Sequence, residues 1–161
     1  MNLEFSFDIN EVSDGLWVGP CPTSPERIGS LQKRGITGLV NVQTDADLAN
    51  CGMAWPLMWR FLMAQGIVPE RKPIVDFDDK ALLAGLTGAV DAVTEMVGAG
   101  RVVYLHCTAG INRSPTVAIG YLARHGGMSL DAAWDQVCSR RTCMPNRSVL
   151  SRWQAAGHCP R

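Results

Sequence analysis

The stretch 102–122, VVYLHCTAGINRSPTVAIGYL, decides the fold. Apolar and aromatic residues run from Val102 to Leu105 and deliver His106-Cys107 to a short polar loop that contains Gly110. A run of this length bounded by a loop predicts a buried strand, and the segment after Pro115 predicts a helix. The loop between them therefore lies at a strand-to-helix junction, the place where open α/β sheets keep their ligand sites.

Outward from that unit, strands and helices alternate. LWVG (16–19) predicts a short strand. TSPERIGSLQKRG (23–35) predicts a helix capped by Ser24, with Pro25 at its first position and Gly35 at its end. ITGLVNV (36–42), rich in β-branched residues, predicts a second strand. GMAWPLMWRFLMAQG (52–66) predicts a short helix after Pro56, its Met and Trp side chains taken up in core packing. IVPERKPIVDFDDK (67–80) is expected to be extended and then loop-like, because Pro69 and Pro73 each disfavour helix at the residue before them. Within 78–100, Leu82, Leu86, Val90, Val93 and Val97 fall on one helical stripe that Gly98 and Gly100 stop. SLDAAWDQVCSRR (129–141) repeats the pattern with Leu130, Ala133, Trp134, Val137 and Cys138, and SVLSRWQAAG (148–157) predicts a last helix beyond Pro145. The alternation argues an α/β fold, a mostly parallel central sheet flanked by helices, in a single domain over residues 1–161.

Composition narrows the function. The 15 Lys and Arg balance the 15 Asp and Glu and form no run longer than two, so there is no electrostatic footprint for nucleic acid or an acidic membrane. Any anionic substrate must be held locally. The N-terminus lacks a basic segment followed by an apolar core, and no stretch is expected to approach the length of a membrane span, which predicts a soluble, cytoplasmic protein; it is expected to be a monomer. Without a secretory signal or a C-x-x-C pair, the six cysteines are expected to be thiols. Cys21, Cys51, Cys138, Cys143 and Cys159 are assigned to packing or surface.

The loop 107–113 carries the chemistry. Its backbone N–H groups, at the start of a helix, can converge on one phosphate-sized anion. A thiol at the base of such a cradle has its thiolate stabilised by those amides, by the helix N-terminus and by Arg113. The guanidinium offers a planar fork to two phosphoryl oxygens, and Gly110 permits backbone angles most residues avoid. These features describe attack of Cys107 on a bound phosphate ester to give a cysteinyl-phosphate, with no metal and no cofactor called for.

HCTAGINRS resembles the signature loop of cysteine-dependent protein-tyrosine phosphatases. The surrounding DGLWVGP, RGITGLVNV, GRVVYLHC, MSLDAAWDQVCSRR and MPN are similar to the small dual-specificity branch, over nearly the whole chain. The resemblance implies a dual-specificity phosphatase-like fold. It implies that His106 supports the thiolate, that Ser114 assists its departure, and that Thr108, Ala109, Gly110, Ile111, Asn112 and Arg113 bind phosphate. It also implies an Asp some thirty residues before the Cys, to protonate the leaving oxygen and then activate water. Asp76 in VDFDD stands there; Asp78 and Asp79 are read as caps of the following helix and remain alternatives for the acid.

Substrate is the least legible part. CTAG together with DFD resembles the glucan phosphatases, laforin-like and plant, but Asn112 stands where those have Gly, Ser114 where some have Ala, and no carbohydrate-binding module is recognisable. A sugar platform would use Phe77, with Trp55 or Trp59. The expected substrate is a phosphorylated protein or a phosphorylated glucan. Phosphoinositides and inositol phosphates rank last, because no basic residue lies between Cys107 and Arg113. A catalytically dead phosphate-binding module would have lost the Cys, Arg or Asp, and all three are present. A metal site at His106-Cys107 fails because adjacent strand residues point to opposite faces. Sulfur-transfer loops usually differ in length, and low-molecular-weight phosphatases place the acid after the Cys. His125 and His158 are expected at the surface, Arg140 and Arg141 at a helix C-terminus, and Asn146 as a brace for the site.

Overall fold

The computed structural model describes residues 6–161. The apolar runs become β1 (Asn10–Ser13), β2 (Leu16–Gly19), β3 (Gly38–Asn41), β4 (Val68–Arg71) and β5 (Val103–His106), joined in one sheet of order β1-β2-β5-β3-β4. Every pairing is parallel except β1 with β2. The helices are α1 (Pro25–Lys33), α2 (Asp45–Asn50), α3 (Trp55–Ala64), α4 (Asp79–Gly98), α5 (Arg113–His125), α6 (Leu130–Arg140) and α7 (Arg147–Ala155).

β3 and β5 are buried at every position, as expected for parallel strands covered on both faces. Strand alternation divides the core. Val103 and Leu105 join the apolar stripes of α4, α5, α6 and α7, whereas Tyr104 points the other way, among Ile28 and Leu31 of α1 and Met58 and Leu62 of α3. Each such fully buried aliphatic side chain contributes about 1.5–3 kcal/mol.

The structure refines several boundaries. α5 begins at Arg113, two residues before Pro115, and proline is tolerated there because the first four helical N–H groups have no intrahelical partner. α3 begins at Trp55, before Pro56. β4 is an edge strand that carries Pro69, a position where a missing N–H is tolerated. β1 and α2 add to the elements expected from sequence. Of the α4 stripe, Leu82, Leu86, Val90 and Val93 are buried, while Val97 is only partly so. The expectation that no stretch reaches membrane-span length is corrected: α4, at 20 residues, is long and apolar enough to cross one. Here its stripe packs against the sheet, α5 and α7, the arrangement of a core helix.

Candidate active site

Parallel register sets Gly19 of β2 and Asn41 of β3 level with His106 of β5. The loops that leave these three strand ends therefore meet. The Cys21 amide donates to the Thr108 carbonyl at 3.0 Å and the Val42 amide to the His106 carbonyl at 3.1 Å.

His106 is fully buried and stacks on Tyr104. Burial drives its pKa down to about 4, so the imidazole is neutral. Its Nδ1 lies 3.0 Å from the Cys107 carbonyl. A carbonyl only accepts, so the proton sits on Nδ1, leaving the buried Nε2 without a partner among the described residues. Cys107, 3% exposed, has its Sγ 3.2 Å from Ser114 Oγ in the first turn of α5.

Gly110 has φ +68°, and a Cβ there would stand 2.5 Å from the Gly19 backbone and 2.6 Å from the Arg141 guanidinium. Only glycine fits. That guanidinium is the loop's brace. Arg141 donates to the carbonyls of Gly110 at 2.7 Å, Ala109 at 3.2 Å and Asp8 at 2.7 Å, and to Asn10 Oδ1 at 2.9 Å. Drawing loop carbonyls outward would leave the amides free to face an anion. The sequence expectation placed Arg141 in the last helical turn; α6 instead ends at Arg140, and Arg141 is an extended, buried residue.

Arg113, the first residue of α5, is 1% exposed. Nη1 donates to Asp47 Oδ2 and to the Ile74 carbonyl, each at 2.7 Å. Nη2 donates to Asp76 Oδ2 at 3.0 Å and Thr108 Oγ1 at 3.3 Å, while the buried Nε has no partner among the described residues. Asp47 is preset for this contact by the capping box of α2, in which Thr44 accepts from the Asp47 amide and the Asp47 carboxylate accepts from the Thr44 amide. Burial pushes the Asp47 carboxyl up, but hydrogen bonds from Arg113 and Thr44 outweigh it and hold its pKa below the ordinary value. Gln43 Nε2 donates to Thr108 Oγ1 at 3.0 Å, extending the network.

Of the three candidate carboxylates, only Asp76 reaches Arg113. Asp78 caps α4 by accepting from the Ala81 amide at 2.9 Å, and Asp79 accepts from Asn146 Nδ2 at 2.7 Å. Asn146 also caps α7 and donates its amide to Thr116 Oγ1, so it braces the start of α5. Phe77 follows Asp76 at φ +55°, a left-handed backbone rare for a non-glycine residue, and the residue is 99% exposed. The result is a cleft of about 410 Å³ lined by Cys107, Arg113, Asp47, Asp76, Phe77 and Ile111. Among the described residues, Arg113 is the only basic one on its wall.

Thr108, Ala109, Ile111 and Asn112 line the cleft, and the Asn112 amide group is turned to the Met144 carbonyl at 2.9 Å. Trp55 and Trp59 lie outside the lining: Trp59 is on an exposed face of α3, and the Trp55 ring is covered by the Arg71 guanidinium at 5.6 Å. His125 and His158 are exposed. Asp47, Gln43 and Arg141 are the site residues that sequence reasoning missed; only the T-x-x-D cap signal of Thr44-Asp47 could have pointed to one of them.

Residues 16–154 match the family described as dual specificity phosphatase, catalytic domain. The phosphoglucan phosphatase DSP4 (amyloplastic) of Castanea sativa is 28% identical over 149 residues, 91% of this chain and 40% of that protein. Dual specificity protein phosphatase 1 of Homo sapiens is 30% identical over 123 residues, 76% of this chain and 30% of that protein. The chain thus spans less than half the length of these relatives. The crystal structure of human DUSP28 superposes with a TM-score of 0.72 at 28% identity, covering 94% of this chain and 95% of that one. With a strand-loop-helix cradle around Cys107 and a family match over most of its length, the chain belongs to the dual specificity phosphatase catalytic-domain family.

Proposed function

We propose that the chain hydrolyses phosphomonoesters through a cysteinyl-phosphate on Cys107. The observation that carries this reading is the buried Arg113, on the wall of the same cleft as Cys107, whose Nη atoms are fixed by four acceptors while Nε has none among the described residues. A phosphoryl group seated on the loop amides would accept from that Nε. It would also compete with Asp76 for Nη2, releasing the carboxyl group towards the leaving oxygen. Cys107 then attacks phosphorus, Asp76 protonates the departing alkoxide or phenolate, and Arg113 and the amides neutralise the charge that builds on the equatorial oxygens. In the second step Asp76 takes a proton from water, and the Ser114 hydroxyl donates to Sγ as the thiolate leaves.

The cleft favours a phosphorylated protein side chain, whose ring or alkyl stem meets the apolar Phe77 and Ile111. Phosphoglucan is the second reading. It is favoured by the solvent-facing Phe77 ring beside the acid, which a sugar face can stack on, and by similarity to a protein named a phosphoglucan phosphatase. Its platform here is Phe77 alone.

The test is hydrolysis of an aryl phosphate, an alkyl phosphate, phosphotyrosine and phosphothreonine peptides, and phosphorylated starch. Cys107→Ser should abolish turnover on all of them while orthovanadate still binds. Asp76→Asn should slow the alkyl phosphate on the order of 10²–10⁴-fold and the activated aryl phosphate far less. Substantial activity in Cys107→Ser would remove the mechanism. Phe77→Ala should impair starch selectively, and equal loss on every substrate would remove the glucan reading.

A further inference from the structure

The end of α6 and the connector that leads from it to α7 each carry a thiol that the chemistry above does not use. Cys138, near the end of α6, and Cys143, just beyond it, have their sulfurs 3.8 Å apart, with Cys143 donating, and both are half-buried. Arg141 lies between them and holds the Ala109 and Gly110 carbonyls. The residue after Cys143 completes the attachment: the Met144 amide donates to the Ile111 carbonyl at 2.8 Å, and its carbonyl accepts from Asn112. The two cysteines therefore bracket and adjoin the contacts that hold four consecutive residues of the phosphate loop.

We propose that Cys138 and Cys143 form a reversible disulfide by exchange with a glutathione-type disulfide, and that this bond weakens phosphate binding by displacing Arg141 and Met144 from the loop. An S–S bond is about 2.05 Å long, so closure draws the sulfurs together by nearly half their separation. Arg141 lies between the two cysteines and Met144 directly follows Cys143, so a shift of this segment on closure is passed to the contacts these residues make with the loop. The exchange balances as two thiol-disulfide steps. The Cys138 thiolate attacks glutathione disulfide, forming a mixed disulfide and expelling one glutathione thiolate. Cys143 then gives up its proton to solvent and attacks the Cys138 sulfur, expelling the second. Protein dithiol is oxidised and glutathione disulfide is reduced to two glutathiones. The order follows from the pair itself: burial and the neighbouring Cys138 push the Cys143 thiol up to about 12, so the proton stays on Cys143.

The experiment treats the full chain with glutathione disulfide, blocks remaining thiols by alkylation and digests with trypsin. Arg140 and Arg141 separate the cysteines, so the bond would join peptide 125–140 to peptide 142–147. The linked pair should appear and vanish with dithiothreitol. In parallel, kcat/KM on an aryl phosphate should fall about fivefold or more in the wild-type chain and recover on reduction. Cys138→Ser and Cys143→Ser should match the wild type when reduced and lack this loss; oxidation at Cys107 would inactivate all three alike. Separately alkylated peptides at excess glutathione disulfide would overturn the proposal, as would a linked pair with unchanged kcat/KM. The activity arm rests on the phosphatase reading. A reduced protein with no hydrolysis would sink that reading instead, and the loop is then probed by inorganic phosphate binding, which must weaken in the linked form.

Discussion

Acidification should destabilise this protein through one buried imidazole. Outside the fold a histidine takes up its proton near 6.5; inside, burial holds His106 neutral down to about 4. Between these values the unfolded chain binds a proton that the native chain does not, so unfolding becomes more favourable as pH falls. The stability is complete above 6.5 and is lost progressively towards 4. At about 1.4 kcal/mol per pH unit, the window is worth about 3 kcal/mol, a large part of the roughly 5–15 kcal/mol available to a domain. The comparison protein is His106→Asn, whose amide can still donate to the Cys107 carbonyl but does not titrate. Urea unfolding followed by tryptophan fluorescence, with Trp153 buried as reporter, gives the free energy of each protein from pH 7 to pH 4. Other titrating groups are common to both and cancel in the difference. The wild type should lose about 3 kcal/mol more than the variant over that range. Parallel pH curves would show that His106 does not sit neutral in the native state, and the reasoning would fail.

Two further perturbations probe the cradle. Gly110→Ala places a methyl group against the Gly19 backbone and the Arg141 guanidinium and should lower kcat/KM on the order of tenfold to hundredfold by displacing the loop; unchanged kinetics would mean the loop has room that the geometry denies it. Asp47→Asn removes the charge at 2.7 Å from Arg113 Nη1 but leaves Asp76 and the Ile74 carbonyl. It should cost about 1–3 kcal/mol in urea unfolding and raise KM for an aryl phosphate, and a variant as stable as wild type with an unchanged KM would remove Asp47 from the account of Arg113.

The parts of this molecule that were legible from its sequence are those set by local chemistry. β5, the 107–113 loop and α5 follow one another within a single stretch, and the α1 and α4 caps at Ser24 and Asp78 are local signals that the structure contains. β1 was not legible because NEVS is short and largely polar; it is a strand only because β2 lies beside it. α2 has a single buried residue, Leu48, and so no periodicity to detect. The support of the site was hidden for a different reason. Asp47 meets Arg113 across 66 positions and Arg141 meets Gly110 across 31, and the Arg141 partners are mainly backbone carbonyls, which leave no trace in residue identity. Trp55 shows the converse. Its type suggested a platform, but Arg71 already occupies its face.

The two margins of the sheet bear on how the protein behaves when crowded. An open strand edge is a template on which another chain can pair, and such pairing seeds fibrils. On one margin, β4 carries Pro69, which offers no donor, and the charged Glu70 and Arg71. On the other, a bulge between Glu11 and Ser13 breaks the ladder of β1, and Gln136 of α6 takes the Val12 carbonyl at 2.9 Å. Neither margin presents an unbroken row of donors and acceptors to a neighbour. Replacing Pro69 with Val, a residue that restores the donor and favours strand, would reopen one of them and make the chain prone to polymerise at concentrations where the native sequence stays dispersed.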